Sequence, residues 1–129
     1  MPTTTVETPL LDPRFQRRVA KELTFWWRHH GVPPSHVVTR FRPGSAELSF
    51  LGPYPMSRTG GDDPDPFAFV FCVLAEERDA AFRSAYARHV RRVLGPDIPP
   101  GRVYVAIQPT DPANHFTPAD DWGTEEDPR

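Results

Sequence analysis

FWWRHHGVPPSHVVTRF, residues 25–41, runs from a helix end through a glycine and a Pro-Pro elbow into a strand, and HVRRVLGPDIPPGRVYVAI, residues 89–107, repeats that order. In both copies basic residues precede the glycine, where cations meet the negative end of a helix dipole. Glycine ends a helix, and Pro-Pro cannot continue one. Beyond each elbow apolar and polar residues alternate, which is the period of a half-buried strand. Upstream of each helix lies a strand candidate, Thr3 to Thr8 in the first half and Phe67 to Leu74 in the second. Each half therefore reads strand, helix, elbow, strand. The two halves, 2–51 and 67–108 joined by a loop at 52–66, predict an α/β fold. It consists of two β-α-β units forming a four-stranded sheet with two helices on one face.

The helices carry their own start and stop signals. Asp12 caps the first, and Pro13 occupies the first helical position, where a missing N–H costs nothing. Phe15, Val19, Leu23, Trp26 and Trp27 form its apolar stripe, and Gly31 ends it. The second starts at Glu76 and Glu77, shows Phe82, Tyr86, Val90, Val93 and Leu94 on one face, and stops at Gly95-Pro96.

The strands predict where the helices lie. Val37, Thr39 and Phe41 point one way, with Arg40 and Arg42 on the opposite face. Val103, Val105 and Ile107 oppose Arg102, Tyr104, Ala106 and Gln108. The apolar sets belong under the helices. The other face, with Arg40, Arg42 and Tyr104, then needs a cover, and another subunit is the usual one. The continuously apolar Phe67–Leu74 run predicts a strand covered on both faces. A short strand is expected within Glu47–Leu51.

At 129 residues the chain is one domain in length, and 38% hydrophobic residues suffice for a core. No apolar run approaches the ~20 residues of a membrane span, so no membrane partner is expected. No signal peptide precedes the first strand, and the expected location is cytoplasmic. A net charge of −2 argues against a nucleic-acid partner. Cys72 is the single cysteine and reads as a small buried apolar residue. Lys21 is the only lysine among 15 basic residues, an arginine skew that fits a GC-rich, bacterial coding sequence. The 52–66 loop reads either as a surface connection or as a lid. Residues 115–129 form an acidic, Pro-rich tail after a domain at 1–114, and Phe116 and Trp122 within it are expected to dock on something.

Several features taken in order resemble the tautomerase superfamily, in its migration-inhibitory-factor-like, malonate-semialdehyde-decarboxylase-like and cis-3-chloroacrylic-acid-dehalogenase-like branches. They are Pro2 after Met1, Gly31-Val32-Pro33-Pro34-Ser35, Phe50-Leu51-Gly52, Arg102-Val103-Tyr104-Val105 and Asp111-Pro112-Ala113-Asn114. The resemblance implies a homotrimer, a catalytic N-terminal proline and no cofactor. It also implies arginines that hold a small carboxylate or carbonyl substrate, with Arg40, Arg42 and Arg78 as the candidates. His36 stands where the decarboxylase-like branch has an acidic water-positioning residue. Tyr104 matches a pocket tyrosine of the cytokine-like branch and reads equally as an interface aromatic. Val32 and Ala106 depart from that branch, which has lysine and asparagine there. His115 lacks partners at ligand spacing, so no metal is assigned.

The chemistry of Pro2 stands on its own. Removal of Met1, which a small second residue favours, leaves a free secondary amine. An α-amine has a pKa near ~8. An apolar wall or a neighbouring cation disfavours the ammonium and lowers that value. The neutral amine is then a base beside a carbonyl, or a nucleophile, and the charged form is a general acid. The expected function is tautomerisation, hydration or decarboxylation with Pro2, His36 and Tyr104 as catalytic residues. Two alternatives stay open: a non-catalytic trimeric scaffold or ligand-binding protein of the same fold, and a ferredoxin-like ligand-binding module. Parallel pairing within each β-α-β unit marks the first two against the last.

Overall fold

The computed structural model describes residues 2–58, 66–118, 120, 121 and 123. In chain order it contains β1 (Thr3–Thr8), α1 (Pro13–His29), β2 (Val38–Pro43), β3 (Phe50–Leu51), β4 (Tyr54–Pro55), β5 (Ala68–Ala75), α2 (Ala80–Leu94) and β6 (Val103–Thr110). Each Pro-Pro elbow closes as one 3-10 turn, Pro34–His36 or Pro100–Arg102.

The helix signals act largely as read. The Asp12 carboxylate accepts from the Arg14 N–H at 2.9 Å, and Pro13 opens α1. Gly31, at φ 84°, takes the left-handed conformation that other residues avoid. Gly95 does not: its φ is −55°, so that stop rests on Pro96 rather than on glycine's freedom. The start of α2 is a correction. Glu76 and Glu77 lie in the turn before the helix. Asp79 is the cap, because its carboxylate reaches the Phe82 N–H at 2.8 Å. Residues 52–58 also hold more order than a plain loop. Tyr54–Pro55 pairs with Phe50–Leu51, and Met56 is buried. Residues 59–65, and with them the lid reading, fall outside the described residues, as does Trp122.

The strand order is β2-β1-β5-β6. Within each unit the strands are adjacent and parallel, Thr3 facing Val38 and Ala68 facing Val103, while β1 and β5 join the units antiparallel. A ferredoxin-like sheet splits each β-α-β pair with another strand, so this pairing overturns that alternative. One face of the sheet, with Thr4, Val6, Val70, Cys72 and Leu74, is buried under Phe15, Val19, Leu23 and Trp27 of α1 and Tyr86, Val90, Val93 and Leu94 of α2. Val37, Phe41, Val103, Val105 and Ile107 pack against the same core, as their alternation predicts.

The opposite face is open. Phe71 is 49% exposed and Tyr104 37% exposed, although both belong to apolar or aromatic stretches. The expectation that the Phe67–Leu74 run is covered on both faces does not hold within one chain, because both helices lie on the same side. Among the described residues, no helix is long and apolar enough to cross a membrane.

Candidate active site

Pro2 sits where three segments converge. It is buried immediately before β1, and its carbonyl accepts from the Val38 N–H at 3.0 Å. Antiparallel pairing brings the far end of β5 to this level, since Thr3 faces Val73. The α1 stop and the first elbow close the third side. The result is a pocket of ≈220 Å³ lined by Pro2, the Gly31–Pro33 backbone turn, Trp27, His36, Leu74, Ala75, Glu77 and Arg78.

The walls differ in chemistry. Trp27, Val32, Leu74 and Ala75 are apolar, whereas His36, Glu77 and Arg78 are polar. Arg78 is held by aromatic faces, its guanidinium carbon lying 4.6 Å from the Phe82 ring centroid and 5.7 Å from that of Trp27. Among the described residues, ion pairs form at Arg18 and none forms at Arg78. A guanidinium stacked on rings keeps its N–H fork directed outward from the ring edge, which suits a planar carboxylate. His36 is half-buried, its backbone N–H anchored to the Pro33 carbonyl at 2.9 Å.

A buried polar contact joins β1 to α2. Thr4, two residues after Pro2, shares a 2.6 Å hydrogen bond with the Tyr86 hydroxyl. Burial pushes the Tyr86 phenol well above its usual range, so it stays neutral. Burial likewise raises the Cys72 thiol to about 11, partly offset by its hydrogen bond with Thr4. That value leaves almost no thiolate, and Cys72 is an inert core residue as its sequence context implies.

The structure brings together Pro2, His36 and Arg78 and separates them from the other candidates. Tyr104 faces Phe69 in the β5–β6 register and stacks on it at 5.1 Å. That level lies about five residues down β5 from Pro2, or ~16 Å at the rise of a strand. Arg42 lines a second hollow of ≈330 Å³ on the open sheet face with Glu7, Phe71 and Tyr104. Arg40, opposite Thr5, is exposed on the same face. Within a single chain none of these three lines the Pro2 pocket. Sequence reasoning missed Trp27 and Glu77. Trp27 reads as one more apolar helix position, and Glu77 as a helix start. Among the described residues no group of three His, Cys, Asp or Glu side chains stands ready for a metal ion. A wider groove of ≈420 Å³ between the helices, lined by Phe25, Trp26, His89 and Arg92, contains none of the residues around Pro2.

Solved structures share this architecture. Macrophage migration inhibitory factor of Toxoplasma gondii superposes with a TM-score of 0.68 at 17% identity, covering 92% of this chain and 97% of that one. The chain has the fold of macrophage migration inhibitory factor. The F6 fused 4-OT, an asymmetric trimer, gives a TM-score of 0.73 at 16% identity, covering 92% of this chain and 94% of that one. Pt0534 inactivated by 2-oxo-3-pentynoate gives 0.69 at 15% identity, covering 91% and 92%. No family model matches the sequence. No curated protein matches it either. The likeness thus rests on geometry: two parallel β-α-β units joined antiparallel, with both helices on one face.

Proposed function

We propose that this protein is a tautomerase-type enzyme that acts on a small carbonyl compound or unsaturated carboxylate, with Pro2 as general base or acid. The observation that carries the reading is the shared pocket of Pro2, His36 and Arg78. In it Arg78 holds the substrate carboxylate. Trp27 and Leu74 exclude water and, with the arginine, disfavour a charged amine. Once Met1 is removed, the neutral amine takes a proton beside the carbonyl, or the charged amine delivers one. His36 is placed to pass a proton or to orient a water. The product is a tautomer, a hydrated acid or, after loss of carbon dioxide, an aldehyde.

The working form is a homotrimer. Phe71 and Tyr104 on the bare sheet face, with Phe50, Leu51 and Tyr54 on the β3–β4 hairpin, form apolar surface that a lone chain leaves in water. The trimeric fused 4-OT has the same fold. Because Tyr104, Arg40 and Arg42 do not line the Pro2 pocket of their own chain, any part they take in the reaction is at the pocket of a neighbouring copy.

2-Oxo-3-pentynoate, with which Pt0534 was inactivated, is the probe. It should add a single label to the N-terminal peptide beginning at Pro2, and Pro2→Ala should label far more slowly. A peptide that begins with Met1 and stays unlabelled would sink the proline mechanism. Val32 and Ala106, the departures within the pocket motifs, would then weigh toward the scaffold reading.

A further inference from the structure

We propose that Glu77 makes the Pro2 pocket selective for short monoanions over dianions of the same length, an inference that rests on Arg78 being the carboxylate site. Glu77 and Arg78 are adjacent in the turn between β5 and α2, and both line the pocket. They do not neutralise one another. No ion pair joins them, and Arg78 is instead held over Phe82 and Trp27. Glu77 is exposed, with no hydrogen bond or ion pair to a described residue.

The pocket therefore offers one guanidinium and one carboxylate that no ion pair among the described residues neutralises. A ligand whose carboxylate docks on Arg78 must place its remaining atoms in a 220 Å³ space that Glu77 borders. An apolar or carbonyl end meets Leu74, Ala75 and Val32 at no electrostatic cost. A second carboxylate meets Glu77, and two like charges within a few ångströms repel. The repulsion is moderated by water at the pocket mouth, so it discriminates rather than forbids. Neighbouring Glu76 is turned into the β6 ladder through its backbone N–H to the Thr110 carbonyl, and Asp79 is occupied as the α2 cap. Neither of them lines the pocket.

Crotonate and fumarate have the same four-carbon trans skeleton and differ in a methyl against a carboxylate. Their affinities for the full chain can be compared by ligand-observed NMR. The parent should bind crotonate more tightly. Glu77→Gln should raise fumarate affinity by roughly fivefold while moving crotonate less than about twofold, as expected for removal of one screened like charge. Glu77→Lys should carry the change further, and high salt should shrink the fumarate gain. A merely structural role for Glu77 would move both acids together and would not respond to salt.

Equal changes for the two acids in Glu77→Gln would overturn the assignment. Arg78→Ala separates this failure from that of the underlying site. If Arg78→Ala weakens crotonate binding while Glu77→Gln leaves the ratio unchanged, only the selectivity role of Glu77 is lost. If crotonate binds Arg78→Ala as well as the parent, or does not bind the parent at all, the carboxylate site itself is wrong.

Discussion

Thr4 Oγ1 and the Tyr86 hydroxyl lie 2.6 Å apart, both buried, 82 positions apart in the chain. The bond ties the start of β1 to the middle of α2. Tyr86→Phe should destabilise the fold by about 1 kcal/mol, because the Thr4 hydroxyl loses a buried partner. Thr4→Val in the same background should cost less than it does in the parent. Chemical denaturation of the two single variants and the double variant measures the coupling, and strict additivity would show that the two groups act independently.

Arg78 depends on rings rather than carboxylates for its position. Arg78→Ala should weaken binding of carboxylates by roughly 30-fold, the equivalent of about 2 kcal/mol for a lost bidentate contact. Arg78→Lys should restore only part of this, since an ammonium cannot form the planar fork. Phe82→Leu keeps the charge but removes the face at 4.6 Å. It should cost a few-fold in affinity, in line with the ~0.5–1 kcal/mol of an exposed cation–π contact. Unchanged affinity in Phe82→Leu, measured by titration, would mean that stacking does not orient the guanidinium.

The bare sheet face sets an expectation for assembly. Light scattering at micromolar concentration should report three chains per particle. Phe71→Arg, at a half-exposed strand position outside the core, should shift the particle toward a single chain while far-UV circular dichroism stays that of the parent. A parent that runs as a stable monomer would remove the trimer from the reading.

His89 sets a pH dependence of stability. Chiefly through burial, and further through Arg92 and His30, its pKa is held below the usual 6.5, against the opposing pull of the Glu22 carbonyl and carboxylate. The folded state therefore binds fewer protons than the unfolded chain just below pH 6.5. Its contribution is fully present above the unfolded value and is lost as pH falls toward the lowered folded value. The drop in Tm between pH 7 and pH 5 should be smaller in His89→Gln than in the parent. A parallel decline in both proteins would assign the acid sensitivity to other groups.

Much of this architecture is legible in local chemistry. The β1 bounds follow from the sequence, as do the Asp12–Pro13 start, the Gly31 stop and the inward sets Val37/Phe41 and Val103/Val105/Ile107, because each depends on neighbours within a few positions. The start of α2 is ambiguous in the sequence for a reason of the same kind. Glu76, Glu77 and Asp79 all suit a helix N-terminus, and only the reach of the Asp79 carboxylate to Phe82 separates them. Pro2, His36 and Arg78 stood out as chemistry-bearing residues, and the fold brings them together. Trp27 and Glu77 did not, since an apolar helix position and an acidic turn residue carry no mark of a pocket.

The sequence by itself determined the elements and their faces. Helical and strand periods, caps and prolines act over a turn or two, and two copies of one pattern specify two β-α-β units. Only the tertiary structure decided that the units join through β1 and β5, antiparallel. That junction places Pro2 beside the end of β5 and so beside Arg78 and Glu77. It also carries Tyr104 to the far end of the sheet, ~16 Å away at the rise of a strand. Which residues share a pocket depends on which strand edges meet. Meeting is a matter of long-range burial, to which residues more than seventy positions apart contribute together and which no local stretch of the chain encodes.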